Sequence, residues 1–372
     1  MPNGTLTTQN LIERDIRERI LDDKWVEAIL ALPPGLFLRT RVPCCAWVIN
    51  RDIRRDAVLF VDARQLDFSE QQDRQKAVEV LRRFRENNRP EATEWYAAVP
   101  IERIKQTGGI LSPNLYTRPQ KLSIPTLPQL SDDFIAAADA LCTRISSPTL
   151  CKNILKWKTA NLPQNWEELY LTDIYTITGG AVARKEAFGQ GIPMADVKTV
   201  IRHMFLPKAL PACVQLSEKD ACKYALRAGD ILLNRSSETT DELACCSAVL
   251  EDRAAVYSAY LKRLRPNNAN RIDPRYAAAY FRSRIYRQEV QRVSFVYTTR
   301  ANMNLQQLSQ IRLYCPSTSW QQALGKTLYD VVRFGQEHRD RELEAAISRF
   351  VEVFIERFIT YPVSLFQKER DQ

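Results

Sequence analysis

Leu226-Arg227-Ala228-Gly229-Asp230-Ile231-Leu232-Leu233-Asn234-Arg235-Ser236-Ser237-Glu238-Thr239 sets a glycine–aspartate pair before a short apolar run and a tail of small polar and basic side chains. Gly229-Asp230 reads as a tight turn that launches a strand over 230–234, and residues 234–239 form a polar loop at its far end. Arg235, Ser236, Ser237 and Thr239 have the donors and acceptors to grip phosphates and to read base edges. The same residue types also cap turns in ordinary loops. A second such loop follows at Thr298-Thr299-Arg300-Ala301-Asn302. Short strands are predicted around them at 173–178, 244–250, 256–264 and 311–314, and Asp273-Pro274 is a strong helix start. These elements outline an α+β domain over 161–318.

Charge points the same way without deciding it. The chain of 372 residues carries 53 Lys+Arg against 44 Asp+Glu, a net charge of +9. Residues 253–300 hold 11 basic and 2 acidic residues, so this stretch alone accounts for the whole excess. Tyr257, Tyr260, Tyr276, Tyr280, Phe281, Tyr286, Phe295 and Tyr297 are interleaved with them. A nucleic-acid surface has this composition, and so does a solvated basic helix. The helix begun at Asp273-Pro274 is expected to run through Arg282, Arg284, Arg287 and Arg292. Those four fall on more than one face, so two or three at most reach a duplex together. Arg184 and Lys185 are further candidate contacts.

Several classes are excluded. No apolar run approaches the roughly 18 residues of a membrane span, and Met1-Pro2-Asn3-Gly4-Thr5-Leu6 is no secretory signal. A cytoplasmic protein is expected. The nine cysteines contain no Cys-x-x-Cys and the chain has 2 histidines, which argues against a metal site and a histidine-based hydrolase. The expectation is buried thiols in a reducing compartment.

The flanks are organised differently. Ile12, Ile16 and Ile20 recur one turn apart, which predicts an amphipathic helix. A strand follows at 25–30, then Pro33-Pro34-Gly35, then two apolar runs at 46–49 and 57–61 that suggest a hairpin. A helix over 74–86 places Val78, Leu81 and Phe84 on one side. Pro119, Pro125 and Pro128 mark a linker, and Ser131 starts a helix to about residue 145. The last fifty residues are helical, with Leu343, Ile347, Phe350, Phe354 and Phe358 in an apolar stripe that needs a partner helix.

Two resemblances cover most of the chain. Met1 to Leu6, Glu13-x-x-Ile16-Arg17 and Val26-x-x-Ile29-x-x-Leu32-Pro33-x-x-Leu36-Phe37-x-x-Thr40-x-x-Pro43 resemble the carboxyl-terminal part of type I N6-adenine DNA methyltransferases. Asn165-Trp166, Leu171-Thr172-Asp173-Ile174, Gly189-x-Gly191-Ile192-Pro193-x-x-Asp196-Val197, Leu226-x-x-Gly229-Asp230-Ile231-Leu232 and Asp273-Pro274-x-Tyr276 resemble the target recognition domain of type I specificity subunits. Thr298 to Asn304 and Ile311-x-Leu313-x-x-Pro316 continue that match, and Gln321-Gln322 with the helix after it resembles the spacer of those subunits.

The resemblances imply four segments: the tail of a Rossmann-like α/β methyltransferase fold over 1–118, a linker with helices over 119–160, a recognition domain over 161–318, and a long coiled-coil-like helical spacer over 319–372. They imply sequence-specific binding of double-stranded DNA, assembly with a methyltransferase catalytic fragment or subunit, and self-association through the terminal stripe. S-adenosylmethionine is implied for the complete enzyme. Its Gly-rich loop and the Asn-Pro-Pro-Tyr/Phe loop are absent from this sequence, so no cofactor-binding or catalytic residue is expected here and no activity of the chain alone. Met1 is expected to lie inside the methyltransferase fold, as in a downstream piece of a split or truncated enzyme. The rival readings are a half-methyltransferase active once an upstream fragment joins it, a protein-interaction module, and a fragment without function.

Overall fold

The computed structural model describes residues 1, 3–6, 10–33, 36, 44–52, 54–87, 91–117, 123–237, 242–296, 301–338 and 340–370. It is a mixed α/β chain of helices and small sheets that divides into two compact units. The first comprises Met1–Lys121, Ser237–Thr240 and Gln291–Gln307; the second comprises Leu122–Ser236, Asp241–Val290 and Leu308–Gln372.

In the first unit, α1 (Leu11–Asp22) starts at Asn10, whose side-chain oxygen accepts from the amides of Ile12 and Glu13 at 3.0 and 3.5 Å. Its expected apolar face is turned the other way: Ile12 and Ile16 are exposed, and Arg17 and Leu21 are buried. Arg17 pins the helix by donating to the carbonyls of Gly109 at 3.0 Å and Thr5 at 3.2 Å. Strands β1 (Val26–Ala31), β2 (Cys45–Ile49), β3 (Ala57–Asp62) and β4 (Tyr96–Pro100) form one sheet in the order β2-β1-β3-β4. The expected hairpin of 46–49 with 57–61 is therefore not made. β1 lies between those strands, antiparallel to β2 and parallel to β3 with Ala28 opposite Leu59. The apolar content explains the placement, since β1 and β3 are buried on both faces and β2 is only half-buried. Helix α2 (Gln71–Asn87) covers the sheet with Ala77, Val80 and Phe84, and Val78 faces solvent.

The second unit holds α3 (Leu127–Cys142), α4 (Pro148–Leu155), β5 (Glu167–Tyr170), β6 (Tyr175–Gly179), β7 (Phe188–Ala195), β8 (Ala212–Val214), β9 (Ile231–Asn234) and β10 (Cys246–Ala248). These are followed by β11 (Val256–Tyr257), β12 (Leu261–Pro266), α5 (Pro274–Tyr280), α6 (Arg284–Val293, whose last three residues fall in the first unit), β13 (Arg312–Cys315), α7 (Thr318–Glu337), α8 (Arg341–Ile355) and α9 (Tyr361–Arg370). A sheet in the order β10-β9-β12-β6 and a smaller one in the order β11-β7-β8 share a core of Ala195, Val200, Leu226, Leu232, Val249, Tyr257 and Leu261.

Two expectations change here. The helix begun at Asp273 ends at Tyr280, and Ser283 starts α6 by accepting from the Tyr286 amide at 3.2 Å, so Arg282 lies in the turn between two helices. The single long spacer helix is replaced by three successive helices: α7 ends at Glu337, α8 starts at Arg341 with Asp340 as its cap, and a π-helical turn at Glu356–Thr360 joins α8 to α9. The stripe's partner is in the same unit. Phe134 of α3 lies 5.7, 5.8 and 5.6 Å from Phe350, Phe354 and Phe358, and Trp157 lies 5.0 Å from the last two. The stripe is thus covered within its own unit.

Candidate nucleic-acid interface

Three strands of the second unit end together. β9 finishes at Asn234 opposite Leu261, β12 brings Lys262 opposite Leu233, and on its other side Lys262 pairs with Gly179, the last residue of β6. The Arg235 amide donates to the Tyr260 carbonyl at 3.3 Å, so Arg235, Tyr260, Lys262 and Gly179 share one end of the sheet. Asn234 is fully buried and holds the turn out of β9. Its side-chain nitrogen donates to the Glu242 carbonyl at 3.0 Å, and its oxygen accepts from the Ser236 amide at 3.2 Å.

The Lys262 ammonium lies 3.8 Å from where a Cβ on Gly179 would stand. Burial lowers its pKa, and the nearby Arg235 guanidinium lowers it further. Neither cation pairs with a carboxylate among the described residues. Two half-buried like charges without a counter-ion favour an anion at that end of the sheet. Tyr260, 61% exposed, stands beside them.

The dense basic stretch behaves differently. Arg253 donates to the carbonyls of Pro207 and Leu206, and Arg263 to that of Ala225 at 3.1 Å while stacking over Tyr257 at 5.4 Å. Arg265 grips the buried Asp230 through two bonds of 2.8 and 2.7 Å. Arg271 pairs with Glu167, Arg275 with Asp273, and Arg284 with Glu356 at 2.8 Å. Arg282 donates to the carbonyls of Ile201 at 3.2 Å and Cys246 at 3.1 Å, and burial lowers its pKa. Arg287 donates to the Leu243 carbonyl at 2.7 Å. Tyr257, Tyr276, Tyr280, Phe281 and Tyr286 are buried in the core. Most of the charge and aromatic surface in 253–290 therefore holds the unit together, and Lys262 and Tyr260 stand apart from it. The expected phosphate contacts Arg282 and Arg287 are thus engaged on backbone carbonyls.

From Gly179 the chain leaves the sheet. Gly180 packs so closely that a Cβ would meet the Ser258 carbonyl oxygen at 2.1 Å, and the Ala181 amide donates to the Tyr257 carbonyl at 2.8 Å. Beyond this anchor Val182, Arg184 and Lys185 are exposed, and both cations lack a carboxylate partner among the described residues. Ser236 is half-buried, Ser237 is buried, and Arg292 lies within the first unit's range and has partners of its own. Thr239, Thr298, Thr299 and Arg300 lie outside the described residues. Asn302 pairs with Phe295 across two short antiparallel strands. Sequence reasoning missed Lys262, because only the strand pairing brings it beside Arg235.

S-adenosylmethionine does not fit the described part of the first unit. Its positive-φ glycines, Gly108 and Gly109, form no open cradle: a Cβ at Gly108 would strike the Gln306 amide at 1.4 Å, and the Gly109 carbonyl is taken by Arg17. Among the described residues no cluster of His, Cys, Asp and Glu could hold a metal ion, and no helix is long and apolar enough to cross a membrane.

Residues 1–123 match the N-6 DNA Methylase family model, and residues 163–345 match that of the Type I restriction modification DNA specificity domain. The chain is 30% identical over 126 residues to the type I restriction enzyme HindI methylase subunit of Haemophilus influenzae, covering 31% of this chain and 28% of that one. It is 24% identical over 182 residues to a type I restriction enzyme MjaX specificity subunit assigned in Methanocaldococcus jannaschii, covering 48% of this chain and 42% of that one. Among solved structures, the HsdS subunit from Thermoanaerobacter tengcongensis aligns over 71% of this chain and 61% of its own, with a TM-score of 0.34 and 12% identity. The chain thus spans less than a third of the methylase subunit and less than half of the specificity subunit.

Proposed function

We propose that this chain, which carries an N-6 DNA methylase segment and a type I specificity domain, is a DNA target-recognition protein of a type I-like restriction-modification system. The observation that carries the reading is a set of cations in the specificity match without a carboxylate partner among the described residues: Arg235 and Lys262 at one sheet end, and Arg184 and Lys185 on the segment that follows Gly179. They would set register on the phosphates of double-stranded DNA, and the polar loops around them would read bases. Arg284 is a weaker candidate because it already pairs with Glu356. Thr239, Thr298, Thr299, Arg300 and Asn302 stay candidates on sequence alone. Selection of random duplexes by the purified chain, at low and moderate salt, tests the reading. A short enriched motif, with affinity falling steeply as salt rises, is the expected outcome; binding indifferent to salt removes it.

The first unit reads as the tail of a Rossmann-like methyltransferase fold, supported by the parallel pairing of β1 with β3. Its catalytic partner, a methylase fragment or subunit, would bring S-adenosylmethionine and flip the target adenine out of the duplex. The exposed Leu11, Ile12 and Ile16 of α1 offer that partner an apolar face. On this reading the chain alone is not an active methyltransferase, and it works in the cytoplasm with the DNA.

A further inference from the structure

The bulge Gly189-Gln190-Gly191 is a motif that the cation group does not use. Phe188 and Ile192 both register with Val214 of β8, so the three residues between them leave the strand as an excursion. Both glycines require their type: Gly189 has φ +97° and Gly191 φ +95°, and a Cβ on Gly191 would meet the Val214 carbonyl oxygen at 2.7 Å. Bulges of this kind re-aim a side chain away from the sheet. The one re-aimed here is Gln190, which is exposed and whose amide has no hydrogen-bond partner among the described residues. Phe188 precedes it, 46% exposed, and Val182, on the segment that leads from Gly179 into β7, is 81% exposed. Arg184 and Lys185 lie between them in sequence, exposed and without a carboxylate partner among the described residues. Exposed apolar side chains, an exposed carboxamide and two exposed cations within residues 182–190 match the chemistry of a major-groove wall: thymine methyl groups, base edges and flanking phosphates.

We infer that this excursion is a base-reading element, in which Gln190 reads an adenine and Phe188 meets a neighbouring thymine methyl. The Gln190 side-chain oxygen would accept from the adenine N6 amino group while its nitrogen donates to N7, an arrangement that fits one base in the major groove. Arg184 and Lys185 would hold the backbone beside it. The inference rests on the target-recognition reading and adds a residue-level specificity to it.

The test is duplex selection with the full chain and with Gln190→Ala, an exposed substitution that leaves the core intact. The wild-type motif is expected to contain an adenine whose preference is lost in Gln190→Ala. That variant should bind the wild-type site about 10- to 100-fold more weakly, with its affinity for scrambled duplex unchanged. The double variant Arg184→Gln/Lys185→Gln should keep the motif, weaken both duplexes alike and lower the salt slope by about two units. A Gln190→Ala variant that selects the same motif at the same affinity, or weakens on both duplexes equally, overturns the inference and leaves the reading standing. A wild-type chain that enriches nothing overturns both.

Discussion

Helices α8 and α1 are both marked in the sequence by apolar residues one turn apart. α8 lays its stripe on α3, where Phe134 sits within 6 Å of Phe350 and Phe354. α1 leaves Ile12 and Ile16 70% and 56% exposed and buries the Arg17 guanidinium on backbone carbonyls. Periodicity reports that a face is apolar; it does not say whether its cover lies in the same unit. Charge divides along the same line. Arg263 and Lys262 are neighbours on β12, yet the first holds carbonyls inside its unit and the second is left beside another cation.

Substitutions that separate the covered from the uncovered features sharpen this contrast. Phe354→Ala, which removes a ring from a packed aromatic cluster, should destabilise the chain by about 3–5 kcal/mol in denaturant unfolding. A loss under about 1 kcal/mol would break the claim that the stripe is satisfied internally. Arg265→Ala strands the buried Asp230 carboxylate and should cost about 3 kcal/mol. Arg235→Gln and Lys262→Gln should leave stability within about 0.5 kcal/mol, because neither holds a carboxylate partner, while each lowers the salt slope of duplex binding by about one unit. Ile16→Asp should change stability by no more than about 0.5 kcal/mol, since its side chain already meets solvent. The smallest effect concerns the thiols. Cys246 and Cys315 are buried and pushed up to about 12, so both should resist a thiol reagent that labels the exposed Cys222 in the native protein.

Local features of the fold were legible in the sequence. Asp273 caps α5 as its place before Pro274 suggests, accepting from the Arg275 amide at 2.8 Å, and Gly229 takes the positive φ that its turn demands. What failed depends on partners distant in the chain. The insertion of β1 between β2 and β3 follows from burial on both faces, which a short apolar run does not reveal. The stretch 253–300 looked like a surface because composition cannot tell an arginine on a carbonyl from one in water. Ser283 is a helix cap hidden in the sequence by a continuous helical pattern on both sides of it. Lys262 becomes a candidate only when the register of β9 and β12 sets it beside Arg235.

The central claim is that DNA is met by Arg184, Lys185, Arg235 and Lys262, which lack a carboxylate partner among the described residues, and not by the arginines of the dense basic stretch that hold carbonyls and carboxylates. The direct measurement is the salt dependence of duplex affinity for the wild-type chain, for the fourfold variant Arg184→Gln/Lys185→Gln/Arg235→Gln/Lys262→Gln, and for a control carrying Arg271→Gln. The account predicts a slope reduced by about three to four units in the fourfold variant and a control close to wild type. A fourfold variant that binds as the wild type does, or a control that loses as much, would contradict it.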